Sequence, residues 1–167
     1  HIGDDRIYGH EGKNILSGGK GADVLIAGNK GDVIFSDGGN DTVKGGVGDD
    51  VVLFSSSAGH LISRVSGSEG RDFFVFTDNV SVTIADFSED DYLSFGGVFR
   101  SHSALQDAMV IENNDIVIAL SDGGSVNLKN SAHLYHRILG TVVDFKSPAA
   151  QSSFLLNYIK GMSDFQI

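Results

Sequence analysis

The sequence predicts an all-β protein: a parallel solenoid of short strands, then an antiparallel β cap and a short C-terminal helix. Three observations predict it. Glycine and aspartate recur in columns nine residues apart over the first 53 residues. An apolar residue stands two places after each member of the aspartate column. Beyond the repeats, apolar and polar residues alternate in short runs separated by turn residues. Composition agrees, because the 167 residues include 22 glycines against 1 proline, and tight turns need glycine.

Two complete lines set the pattern, GGKGADVLI from Gly18 and GGVGDDVVL from Gly45. Between them lie AGNKGDVIF from Ala27 and SDGGNDTVK from Ser36, and upstream lie GHEGKNILS from Gly9 and a truncated line over residues 1–8. The aspartate column is therefore Asp5, Asn14, Asp23, Asp32, Asp41 and Asp50. Each line reads as a turn followed by a three-residue strand, whose middle residue (Ile7, Leu16, Leu25, Ile34, Val43 or Val52) faces a core. Two lines make one coil, and stacked coils pair their strands in parallel. One edge then carries Asp5, Asp23 and Asp41, and the other carries Asn14, Asp32 and Asp50. Such a row of carboxylates repels itself by several kcal/mol per pair at an effective dielectric near 20. A divalent cation between successive turns relieves this. Calcium takes about 6–8 oxygens in flexible geometry, which carboxylates of two turns and inward carbonyls can supply; magnesium demands a tighter octahedron.

GGKGADVLI and GGVGDDVVL resemble the RTX, or haemolysin-type, calcium-binding nonapeptide repeat. The resemblance implies a parallel β-roll loaded with several Ca2+ ions. It assigns the ligand positions to the column and to the turn glycines Gly3, Gly12, Gly19, Gly21, Gly39, Gly46 and Gly48. Two departures matter: Lys30 stands at the fourth-position glycine of its line and Asn14 replaces an aspartate, so the edge with Asn14 and Asp32 is expected to bind more weakly. Asp4, Asp37 and Asp49 read as solvated turn residues, the latter two within reach of a neighbouring ion.

The register breaks after Leu53 and returns over 67–75 with Asp72 in the column, so an insertion is expected over 54–66 within a roll of residues 1–76. Residues 80–87 and 88–95 alternate as closing strands. They resemble the strand and turn that follow the repeats in the family, which places Asp86 and Asp91 as ligands of a last ion. A capping region is expected over 77–146. It comprises a short helix over 103–109 capped by Ser101 or Ser103, and strands over 115–120 and 125–128 around a turn at 121–124. Further strands are expected over 135–139 and 141–145. Residues 147–167 read as an amphipathic helix, with Ser147 as N-cap, Pro148 at N1, apolar Phe154, Leu155, Tyr158 and Ile159, and Gly161 as stop. Its end, 163–167, resembles the extreme C-terminus of substrates of type I bacterial exporters, which implies the type I secretion machinery as a partner.

A net charge of −10 opposes binding to nucleic acid and to anionic membrane surfaces. No apolar run is long enough for a membrane-spanning helix. Without cysteine there is no disulfide, zinc–thiolate or thiol chemistry. Zinc-protease, nucleophile-elbow and phosphate-loop motifs are all missing, so no enzyme is expected in this chain. The resemblance implies the C-terminal region of a larger secreted bacterial protein whose activity lies upstream. The expected function is a calcium-dependent folding, stabilisation and secretion module. The alternative is a glycan- or cell-surface-binding module, with Arg6, Lys13, Lys20, Lys30 and Lys44 as its cations. His133 and His136, three apart on an expected strand, read as solvent-facing polar residues.

Overall fold

The computed structural model describes residues 2–55, 62–77 and 80–141. Each line yields one short strand: β1 (Arg6–His10), β2 (Ile15–Ser17), β3 (Val24–Gly28), β4 (Val33–Ser36), β5 (Thr42–Val47) and β6 (Val51–Phe54). The winding continues through β7 (Ile62–Glu69), β8 (Phe73–Phe76), β9 (Ser81–Ile84) and β10 (Tyr92–Ser94). Odd strands pair in parallel in the order β1-β3-β5-β7-β9 and even strands in the order β2-β4-β6-β8-β10. The result is a mostly β structure, a parallel β-solenoid of about four turns.

The core is the predicted ladder. Leu25 pairs in register with Ile7 and Val43, and Ile34 pairs with Leu16 and Val52. All are buried except Ile7, which is half-buried in the first coil. Later coils use larger side chains. Phe54, Phe76 and Phe95 stack at ring separations of 5.0 and 5.1 Å, and Phe99 closes the stack edge-on. Each buried aromatic of this kind stabilises by roughly 2–3 kcal/mol.

Repeat length changes where the register broke. Column residues sit 18 positions apart from Asp32 to Asp50, 22 apart from Asp50 to Asp72 and 19 apart from Asp72 to Asp91. The four extra residues fall between β6 and β7, inside the expected insertion. β7 nevertheless begins at Ile62 and pairs along β5, so the latter part of 54–66 is strand.

The cap extends the odd-strand sheet. β11 (Met109–Glu112), β12 (Asp115–Ala119) and β13 (Ser125–Leu128) form an antiparallel meander, and β13 pairs in parallel with β9. Helix α1 (His102–Ala108) starts at Ser101, whose hydroxyl accepts from the Ala104 N–H at 3.1 Å. Met109, expected in that helix, opens β11 instead. Asn113 and Asn114 then turn the chain with φ of 50° and 75°, the paired left-handed conformation of a tight hairpin. The turn over 121–124 forms as expected, with Leu120 N–H donating to Gly124 O.

One expectation is overturned. Residues 135–139 are helical, in α2 (Tyr135–Thr141), rather than a strand. Tyr135, Ile138 and Leu139 share one helical stripe that packs on the core, with Ile138 fully buried. Within five residues this stripe resembles strand alternation, and packing beside β10 decides between them. His133 and His136 are exposed, as expected, but on helical backbone. The strand expected over 141–145 begins inside α2, and the C-terminal helix over 147–167 lies outside the described residues.

A column of buried carboxylates along two edges

Stacking puts the aspartate column where the sequence placed it. Along the first edge the Asp5 N–H donates to Asp23 Oδ1 at 2.8 Å and the Asp23 N–H donates to Asp41 Oδ1 at 3.1 Å. The next donor, Asp41 N–H, meets Ser63 Oγ at 3.3 Å, so serine ends the acidic column there. Along the second edge Asn14, Asp32, Asp50 and Asp72 donate in turn to Asp32, Asp50, Asp72 and Asp91, at 2.6, 2.7, 3.0 and 2.9 Å. Each side chain is thus pinned by the turn below it through Oδ1. Asp23, Asp32, Asp41, Asp50, Asp72 and Asp91 are all buried, and Asp5 and Asn14 at the first coil are half-buried.

The second carboxylate oxygen divides the column. Asp32 Oδ2 accepts from Gly28 N–H at 2.9 Å, Asp41 Oδ2 from Ser36 Oγ at 2.6 Å, and Asp91 Oδ2 from Ser88 N–H at 2.7 Å. Asp23, Asp50 and Asp72 each bury an Oδ2 with no hydrogen-bond partner. Burial pushes the Asp50 carboxyl up to about 8 and that of Asp72 to about 7, with neighbouring carboxylates adding to the rise and the backbone N–H donors opposing it. Asp41 and Asp91 are raised for the same first cause. The ion pairs Arg71–Asp49 and Lys129–Asp115 lie outside the column.

All seven expected turn glycines take positive φ: Gly3, Gly12, Gly19, Gly21, Gly39, Gly46 and Gly48, from 92° at Gly12 to 157° at Gly39. Close approach explains Gly39, where an added Cβ would lie 1.4 Å from Gly21 O. Two non-glycine residues, His10 and Ser68, hold left-handed φ of 63° and 76° at second positions of their lines. In the turn with Lys30, by contrast, neither Gly28 nor Lys30 is left-handed.

Other acids act differently. Asp86 is exposed and outside the column; its carboxylate accepts from Gly67 N–H at 3.1 Å, from Ser68 N–H at 3.0 Å and from the Ser66 hydroxyl. Asp4 accepts from Ala22 N–H, Asp49 pairs with Arg71, and Asp37 accepts from Ser17 and Ser55 hydroxyls. These residues, read from sequence as solvated turn acids, brace one turn on the next. Asn14 donates its amide to Gly12 O at 3.2 Å. Ser63 was missed, since its column place shows only through the 22-residue coil.

The donor set is hard oxygen, which suits calcium. Among the described residues no three carboxylate or imidazole side chains form a metal-holding group, so a cation in a turn needs backbone carbonyls as well. An added Cβ at Gly45 would meet Asp50 Oδ2 at 2.2 Å and Gly67 O at 2.6 Å, so a carboxylate and a carbonyl of successive turns converge there. Arg6, Lys20, Lys30 and Lys44 are exposed and Lys13 is half-buried; they are spread over β1, β5 and turns on both edges. No helix among the described residues is long and apolar enough to cross a membrane.

The family model for the RTX calcium-binding nonapeptide repeat, in four copies, matches residues 2–25 and 17–52. No curated protein matches the chain. Matched repeats, their register and the two carboxylate edges agree, and over residues 2–52 this chain matches the RTX calcium-binding nonapeptide repeat.

Proposed function

We propose that the chain is a calcium-dependent folding, stabilisation and secretion module of a larger extracellular protein. The observation that carries this reading is the column of buried carboxylates, stacked turn on turn and met by backbone N–H groups and, at Asp41, by the Ser36 hydroxyl. Burying an ionised carboxylate without a compensating charge costs several kcal/mol. Where free calcium is scarce, this cost opposes folding and leaves the chain extended enough for export. Outside the cell calcium supplies the missing charge, and its binding energy becomes folding energy. Extracellular calcium modules bind at about 10⁻⁴–10⁻³ M, a range that separates the two compartments. The chain's own residues pin each carboxylate through Oδ1 and present carbonyls from glycine turns.

Far-UV circular dichroism of the 167-residue chain, titrated with calcium from a chelated start and in parallel with magnesium, tests the reading. The expected result is a cooperative gain of β signal with calcium and little response to equal magnesium. A chain already folded in chelator and indifferent to calcium overturns it.

A further inference from the structure

We infer that calcium binding is unequal along the roll: the turns of Asp23, Asp50 and Asp72 hold ions, those of Asp32, Asp41 and Asp91 are self-closed, and the main centre is the step from turn 45–50 to turn 67–72. This rests on the calcium-binding reading above and adds where on the roll the ions sit.

The argument is one of spare oxygens. A carboxylate whose two oxygens both accept hydrogen bonds from its own turns must lose one before it ligates a cation. Asp32, Asp41 and Asp91 are in that state, closed by Gly28 N–H, Ser36 Oγ and Ser88 N–H. Asp23, Asp50 and Asp72 are buried to 1, 0 and 0% exposure and each keeps one oxygen unpartnered. Such groups are rare in folded proteins and call for a ligand.

The first residue of the line sorts the two classes. In the open turns it is Gly18, Gly45 or Gly67, and an added Cβ there would lie 2.1, 2.2 or 2.0 Å from the free Oδ2. In two closed turns it is Ala27 or Ser36, and Ser36 is itself the closing donor. Backbone conformation follows the same division. Open turns carry left-handed residues at both the second and fourth positions (Gly19 and Gly21, Gly46 and Gly48, Ser68 and Gly70), whereas turns 27–32 and 36–41 lack the second-position one. Asp50 and Asp72 stand on adjacent coils of one edge, and beside Gly45 the free Asp50 Oδ2 and the Gly67 carbonyl of the next turn converge. Asp23 has the self-closed Asp41 as its neighbour.

The test is calcium stoichiometry and midpoint on the full chain, by native mass spectrometry and calorimetric titration with calcium chloride. Asp50→Asn and Asp72→Asn are each expected to lose about one ion per chain and raise the calcium midpoint roughly tenfold or more. Asp32→Asn and Asp41→Asn are expected to keep the wild-type ion count at saturating calcium. Because a variant that fails to fold also loses ions, a gain is measured too. The pair Ala27→Gly with Lys30→Gly, which rebuilds an open line before Asp32, is expected to add about one ion. Equal losses from all four asparagine variants, or no gain from the rebuilt line, overturn the unequal distribution while leaving calcium-dependent folding intact. A wild-type chain that binds no calcium overturns both.

Discussion

The two edges of the roll grow from the same nine-residue line and end differently. The second edge keeps a carboxylate in every coil from Asp32 to Asp91, up to the cap. The first stops at Asp41, where the coil with four extra residues puts Ser63 in the column. A strand ladder needs only the apolar residue two places on, and Val65 keeps that place in β7. The roll is therefore held by its core and its hydrogen-bond register, while the acidic content of each edge varies independently of it.

The largest expected effect separates these two layers. Gly39→Ala puts a Cβ 1.4 Å from Gly21 O on the first edge, at φ of 157°. Backbone of one coil must then move off the next. The expected loss is roughly 3 kcal/mol or more of unfolding free energy, from strain and overpacking together, measured by urea denaturation in saturating calcium. Gly12→Ala serves as the control on the second edge, because its φ is 92° but an added Cβ meets nothing within 4 Å. It should cost only the left-handed penalty of about 1–2 kcal/mol. Equal losses at the two positions would show that close stacking of the turns contributes little.

Proton binding discriminates between the edges next. Asp50 and Asp72, raised to about 8 and about 7 by burial, both lie on the second edge, with the raised Asp91 beside them; the first edge has Asp41. A carboxyl whose folded pKa exceeds its unfolded value holds more protons when folded, so stability falls as pH rises through that interval. In chelator, the β signal in circular dichroism is expected to rise as pH is lowered from about 8 to 5, because protonating Asp50 and Asp72 removes buried charge that opposes folding of the metal-free chain. In saturating calcium the slope should reverse, because protons then compete with the cation. Asp50→Asn with Asp72→Asn should flatten the metal-free slope, and Asp41→Asn should leave most of it. A metal-free β signal that falls on acidification over this range would contradict the assignment of charge burial to the second edge.

How legible this was in the sequence follows from range. The column and its apolar partner repeat locally, so Asp5 to Asp50 and the ladder from Ile7 to Val52 could be read directly. Asp91 was reached only by resemblance, yet it is a true column member, since Asp72 N–H donates to it as Asp50 N–H does to Asp72. Asp86, reached the same way, lies outside. The helix at Tyr135 was misread because a five-residue stripe does not distinguish helix from strand until its neighbours are known. β11 was missed although Asn113-Asn114 is a readable hairpin signal. The split between open and closed turns was also in the letters, in Gly18, Gly45 and Gly67 against Ala27 and Ser36. Its meaning depends on where Oδ2 lies, which only the fold gives.

The smallest effect concerns the two lines that lack glycine at a left-handed second position. Ser68, on the second edge, holds φ of 76°. A non-glycine residue there costs about 1–2 kcal/mol, and replacing it with glycine returns part of this through unfolded-chain entropy of about 0.5–1 kcal/mol. Ser68→Gly should therefore stabilise by roughly 0.5 kcal/mol, because the Ser68 N–H that donates to Asp86 is kept. His10→Gly relieves a similar φ of 63° but loses the stack of its ring on Tyr8, at a ring separation of 6.0 Å. Its net change should lie near zero. Urea midpoints of both variants in calcium check the pair: a gain at residue 68 with none at residue 10 matches the geometry, and a loss at residue 68 would mean that its hydroxyl, hydrogen-bonded to Ser66 at 3.0 Å, outweighs the backbone strain.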